Sequence, residues 1–332
     1  VDPDDGSTFW CFNKYAGRNA PTDPAVPYDI TEAFWRTAYG SFNVRETVRA
    51  NDMNNDGFAD LALQFSLSGS TSTGRLDLIF MNGLNRILRT PTTPNTSGSL
   101  SLAALADVNG DVKTDFIFRN STSKLRFWTM NGSARIQTLT ANPDTSVGAI
   151  SCSGKFDGDD FIDIVGRNTT SGRHYIYRMG AVTSTSATAG TIAFLGSSEI
   201  TPPPGVTYPS TARAIRSVSP VAAANGDRYF YVQNTSTGAT DVWTGKWNVA
   251  TNKLVFTSST PISAVAPASQ ISGSANVIRG ADDMNNDGLV DLIIQNGATI
   301  RIKPGISPTA YGAYVNFNPS TTGSSSWTIR NN

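Results

Sequence analysis

The chain has 332 residues, 39% of them hydrophobic, which exceeds the usual single-domain length and suffices for a sizeable core. Lys+Arg and Asp+Glu stand at 26 each and only 16% of residues are charged, so the basic excess of a nucleic-acid binder and the like-charge run of an interaction tail are both missing. No stretch approaches the ~20 apolar residues of a membrane-spanning helix, and two cysteines with one histidine make neither a disulfide framework nor a His/Cys zinc set.

The N-terminal segment carries aromatic pieces, TFWCFNKY and AFWRT, and the one short helix candidate, Thr31 to Arg36. From about Asn43 a single unit recurs. It opens with a strand candidate, passes into an acidic loop, and continues with an apolar run. The loops are DMNNDGFAD (Asp52 to Asp60), DVNGDVKTD (Asp107 to Asp115), KFDGDDFID (Lys155 to Asp163) and DMNNDGLVD (Asp283 to Asp291). A decayed copy lies at Ala224-Asn225-Gly226-Asp227. The apolar runs that follow, LALQ, FIFR, IVGR, FYVQ and LIIQ, are short, β-branched or aromatic, and do not alternate cleanly. That pattern predicts strands buried on both faces. Each run ends in Gln64, Arg119, Arg167, Gln233 or Gln295, and in all but the first copy an Asn follows: Asn120, Asn168, Asn234, Asn296. A polar turn and a third strand come next (DLIFMNG, LRFWTMNG, YIYRMGA, DVWTGKW).

Four strands in some 55 residues, repeated, is the pattern of a β-propeller blade. The sequence predicts an all-β propeller of four-stranded blades in one domain spanning 1–332, with repeats starting near 52, 107, 155, 223 (degenerate) and 283. Five units leave the segments 1–42 and 318–332 over. Together they amount to about one more unit, so six blades are expected, the last closed by both chain termini, with seven as the alternative.

Asp and Asn at alternating positions of a tight loop aim oxygens at one centre, which is hard-cation chemistry suited to calcium. The candidate ligands are Asp52, Asn54, Asp56 and Asp60; Asp107, Asn109, Asp111 and Asp115; Asp157, Asp159 and Asp163; and Asp283, Asn285, Asp287 and Asp291. Twelve of the chain's 26 acidic residues stand at the ligand positions of these loops, and that crowding demands a counter-charge. The pattern is not an EF-hand, because position twelve is Leu63, Phe118 or Ile294 rather than Glu. Lys155 replaces the first ligand of the third loop, so three to four structural calcium sites are expected. The alternative is an Asx-rich turn satisfied by its own backbone.

The motif D-x-N-x-D-G-x-x-D-L, with the later R-N-x-[ST] turn and M-N-G, resembles the FG-GAP/VCBS repeat family over roughly Asn43 to Lys303. That family includes the calcium-bearing propeller of integrin α subunits and some propeller lectins. The resemblance implies calcium loops that tie the first two strands of a blade on one rim, in a structural role. Such loops bind weakly enough to need the millimolar calcium found outside cells. The expected function is therefore a secreted or cell-surface, non-catalytic binding or adhesion module, with a glycan or a cell-surface protein as partner. The alternatives are a structural subunit of a surface assembly and a polysaccharide lyase or hydrolase.

Further residues carry bland and sharp readings side by side. Trp10, Trp128, Tyr175, Tyr177, Trp243, Trp247 and Trp327 are sugar-stacking platforms if exposed and blade filling if buried; packing is the commoner use. The Gln/Arg-Asn pair is expected to hold its turn through backbone hydrogen bonds. The sequons at Asn95, Asn120, Asn131, Asn168 and Asn234 are expected to arise from turn composition, with glycosylation the alternative in a eukaryotic source. His174 is expected to be structural, and Cys11 and Cys152 to be separate buried thiols. Glu32, Glu46, Asp77, Glu199, Asp227 and Asp241 are carboxylates outside the loops, with no pairing motif among them.

Overall fold

A computed structural model describes residues 42–51, 53–54, 60–67, 73–82, 85–92, 96–97, 99–219, 223, 225–264, 275–284, 289–296, 299–307, 309–312 and 315–316. These are strands and turns, with no helix among the described residues. The first blade holds β1 (Phe42–Asn51), β2 (Asp60–Leu67), β3 (Thr73–Asn82) and β4 (Asn85–Pro91), with β5 (Thr96–Ser97) on the side of β3. The second holds β6 (Leu100–Ala106), β7 (Asp115–Asn120), β8 (Leu125–Asn131) and β9 (Ala134–Asn142). The third holds β10 (Ala149–Gly154), β11 (Asp163–Arg167), β12 (His174–Ser184) and β13 (Ala189–Glu199). The fourth holds β14 (Arg213–Val218), β15 (Arg228–Asn234), β16 (Thr240–Asn248) and β17 (Lys253–Pro261), followed by β18 (Ser263–Ala264). The fifth holds β19 (Asn276–Asp282), β20 (Asp291–Asn296) and β21 (Thr299–Lys303); then come β22 (Gly305–Ser307), β23 (Ala310–Tyr311) and β24 (Val315–Asn316), the last completing the fifth blade.

Within each blade the strands run antiparallel in chain order. The first strands of the second to fifth blades carry a bulge at the same place, at Leu102/Ala104, Ile150/Cys152, Ile215/Ser217 and Ile278/Gly280. A bulge adds local twist, which suits the strand nearest the axis. The first strands neighbour one another in a circuit: β1 against β6, β6 against β10, β10 against β14, β14 against β19, and β19 against β1. The circuit closes at five blades among the described residues, where six were expected. The segments 1–42 and 318–332 that were to build a sixth blade lie outside the described residues except for Phe42.

The core is a set of layers between blades. Phe116 and Phe118 of β7 pack toward the first blade with Leu76 and Leu78, while Ile117 between them packs toward the third with Ile164 and Met179. Val165 turns to the fourth blade, meeting Ile215 and Phe230. Tyr231 then turns to the fifth with Ile278 and Ile294. Successive side chains of one strand thus enter different layers, which is why the second strands read apolar without alternation. Trp128 and Trp243 are buried in these layers, as is Cys152. Cys11, Trp10, Trp327 and the helix candidate Thr31 to Arg36 lie outside the described residues.

Candidate functional site

The acidic loops join the first strand of a blade to the second, and the Asn turns join the second to the third. In an antiparallel blade these connections fall at opposite ends, so loops and turns occupy opposite faces of the ring.

The second loop is described whole. One carboxylate oxygen from each of Asp107, Asp111 and Asp115 lies within 4.8 Å of the others, the one such acidic group among the described residues. Calcium takes oxygens at 2.3–2.6 Å, so oxygens on opposite sides of the ion stand about 5 Å apart; the trio fits it. Asp107 gathers the loop: Oδ1 accepts the N–H groups of Gly110 (2.7 Å) and Asp111 (3.1 Å), and Oδ2 accepts that of Val112 (2.9 Å). Asn109 Oδ1 accepts the Asp111 N–H at 3.0 Å. Gly110 (φ 80°) and Val112 (φ 66°) both take the left-handed conformation this requires.

The ninth loop position is different in kind. Asp60, Asp115, Asp163 and Asp291 are fully or almost fully buried. In each, Oδ2 accepts the N–H of the second loop residue: Met53 (2.8 Å), Val108 (3.1 Å), Phe156 (3.1 Å) and Met284 (3.0 Å). Oδ1 of the last three accepts an N–H from Met130, Met179 or Gly305, beyond the loop. This carboxylate therefore pins the loop to the third strand or to the residues after it. Burial, and then the charges of Asp111 and Asp107, push Asp115 up to about 8 against the pull of its N–H donors. Burial and Asp157 push Asp163 up to about 7. A cation beside Asp115 would hold that trio ionised, with Asp107 and Asp111 as its remaining carboxylate ligands.

The third loop is not drawn together in the same way. Asp157 Oδ1 accepts the Asp159 N–H and Asp159 Oδ1 that of Phe161. Lys155 is exposed and, with Asp107, Asp282 and Arg228, lines a cavity of about 240 Å³ at the ends of the inner strands of four blades. Of the first loop, Asn54 is exposed and Asp60 buried, while Asp52 and Asp56 lie outside the described residues. Of the last, Asp283 is half-buried and Asp291 buried, while Asn285 and Asp287 lie outside them.

On the opposite face, the Asn side chain holds its turn as expected. Asn120 Oδ1 accepts the N–H groups of Thr122 and Lys124, Asn168 those of Thr170 and Ser171, and Asn234 those of Ser236 and Thr237. The preceding Gln or Arg does something sequence reasoning missed: it crosses to the next blade. Gln64 Nε2 donates to Leu100 O (2.7 Å) and its Oε1 accepts the Leu102 N–H (2.8 Å). Gln233 makes the same pair with Asn276 O (2.5 Å) and the Ile278 N–H (3.3 Å). On the next blade, Arg119 and Arg167 reach a carbonyl alone, Val147 O and Thr211 O. Between the third and fourth blades, His174 Nε2 supplies the acceptor for the Ile215 N–H (3.2 Å). Burial, with Arg167 and Arg216 nearby, holds His174 down at about 3. The Gln that recurs at this position in three of the five repeats is the signal that could have revealed this staple.

Where Arg replaces Gln, between the second and third blades, a groove of about 570 Å³ opens on the turn face. Arg119, Asn168, Tyr175, Tyr177 and Phe194 are among its walls. Tyr177 is rooted against the interblade core and lies 6.4 Å from the Phe194 ring, centroid to centroid. Tyr175 is half-buried, and its hydroxyl has no hydrogen bond among the described residues. Glu199 and Asp241, two of the carboxylates outside the loops, are ion-paired with Arg173 and Arg213.

No protein-family model matches the chain, and no curated protein does. Among solved structures, it is similar to a lectin of Agrocybe aegerita that recognises non-reducing terminal N-acetylglucosamine, at 13% identity and TM-score 0.43, covering 88% of this chain and 85% of that one. A Lactobacillus plantarum protein is similar at 9% identity and TM-score 0.39, with 85% and 86% covered. A chain of the Photorhabdus luminescens Tc holotoxin pore is similar at 14% identity and TM-score 0.39; the match covers 83% of this chain but only 12% of the toxin chain. The propeller architecture itself rests on the strand order and the ring of blades.

Proposed function

We propose that this chain is a calcium-stabilised β-propeller acting as a non-catalytic binding or adhesion module for glycans, outside the cell or at its surface. The observation that carries the reading is the groove between the second and third blades. It offers two tyrosines, one with a free hydroxyl, beside amide, hydroxyl and guanidinium donors, and rings flanked by polar groups suit a sugar's mixed apolar and polar faces. Hydrolysis of a glycosidic bond needs a pair of carboxylates, and none lines this groove.

Calcium enters through the converging trio Asp107, Asp111 and Asp115. A divalent ion there would offset the crowding of three carboxylates and fix the second blade's loop, and its weak affinity suits an environment with millimolar calcium. The test is a glycan array probed in millimolar calcium, repeated after chelation with the fold monitored by circular dichroism. Binding to a defined sugar, weakened about tenfold or more by Tyr175→Ala, is the expected outcome. A blank array with folded protein would overturn the glycan reading and favour a structural subunit of a surface assembly.

A further inference from the structure

The groove's electrostatics name a class of sugar. Arg119 is the one formally charged side chain in its lining, and no Asp or Glu lines it. Other arginines of the molecule are ion-paired: Arg126 with Asp144, Arg173 with Glu199, Arg213 with Asp241. Two of those pairs neutralise the acids nearest the groove in sequence, since Asp144 precedes Thr145 of the lining and Glu199 follows Ser197. Arg119 itself is held by neutral partners. Nε donates to Val147 O at 3.3 Å and Nη2 to Ser123 Oγ at 2.5 Å, which leaves Nη1 without a protein partner among the described residues. A guanidinium fixed at two nitrogens and open at the third is pre-organised for an anion. At the same repeat position, Gln64 and Gln233 spend both amide atoms on the next blade.

We infer that the groove selects sugars bearing an anionic group, a carboxylate or a sulfate ester, with Arg119 as the charge that reads it and the Tyr175 and Tyr177 rings as its walls. The inference rests on the glycan reading above. The ligand's anion takes a charge-assisted hydrogen bond from Nη1, and its ring hydroxyls meet the Asn168 amide and the Tyr175 hydroxyl.

The experiment compares the full chain, in millimolar calcium, on matched pairs of polysaccharides: a uronic-acid polymer against its methyl ester, and a sulfated polymer against its desulfated form. Arg119→Gln and Arg119→Lys are measured alongside, with melting curves to establish that each is folded. The expected result is at least about tenfold tighter binding of one charged member over its neutralised partner, weakening with salt. That preference is lost in Arg119→Gln and largely kept in Arg119→Lys. Whether the uronic or the sulfated pair responds identifies the anion. Equal binding of charged and neutral members, or a charge preference that survives Arg119→Gln, overturns the inference and leaves the glycan reading standing. A folded protein that binds no member of any pair and no neutral glycan overturns both.

Discussion

Val112 sits at the sixth position of the second acidic loop, where two other loops carry Gly57 and Gly288. Its φ of 66° places a β-branched residue in the left-handed region, and the side chain is 72% exposed, so it gains little from packing. The conformation persists because the Val112 N–H is bound to Asp107 Oδ2. Val112→Gly should therefore stabilise the protein by about 1 kcal/mol, net of glycine's greater unfolded entropy, read as a higher melting temperature; a lower one would show that the strain is not there. His174 is the second residue-scale case. Its folded value near 3 lies below the ordinary 6.5, so between those pH values the folded chain binds fewer protons than the unfolded one. The stability this confers is present above pH 6.5 and lost as pH falls toward 3, at up to ~1.4 kcal/mol per pH unit. Tyr208, stacked on the ring, and Arg167 and Arg216, the cations that oppose its protonation, face the imidazole. His174→Gln should flatten that part of the stability–pH profile, measured by urea unfolding from pH 4 to 7.

At the scale of elements, the blades are joined by more than apolar layers. Each staple satisfies a carbonyl and an N–H of the next inner strand beside its bulge, groups that would otherwise face an apolar layer. Gln233→Ala leaves the Asn276 carbonyl and the Ile278 N–H without this partner, and should cost about 2–3 kcal/mol in urea denaturation. A cost near zero would mean that water replaces the amide. The rim is joined too. β13 and β9 pair in parallel from Ala189↔Thr138 to Ala193↔Asn142, merging the second and third blades into one eight-stranded sheet. That pairing covers two outer edges that would otherwise invite association. The sequence shows the Gln or Arg after each loop as a repeat but not its partner, because the partner is a backbone group 28 to 45 residues on. Likewise the sequence marks Asp115 and Asp163 only as ligands, whereas folding buries them and gives Asp115 two backbone donors and Asp163 three.

For the whole molecule, the proposed calcium sites carry the largest stability prediction. One site saturated at 100 times its dissociation constant adds ~2.7 kcal/mol to the folded state, a large share of the ~5–15 kcal/mol a fold commands. Chelation should lower the melting temperature by about ten degrees, and Asp111→Asn should give most of that loss without chelator; a melt unchanged in EDTA would sink the structural-calcium reading. The sequence by itself determined the repeat, the all-β class, the four-stranded unit and the burial of its second strands on both faces. Those are local properties, written in loop spacing and in apolar runs without alternation. Only the tertiary structure decided that the inner strands close as a circuit of five among the described residues, that Asp107, Asp111 and Asp115 converge while Asp157, Asp159 and Asp163 do not, and that a groove opens where Arg119 stands in place of Gln. The circuit and the groove depend on how one blade meets the next, which is set by packing between residues far apart in the chain, whereas the trio is drawn together by hydrogen bonds inside its own loop.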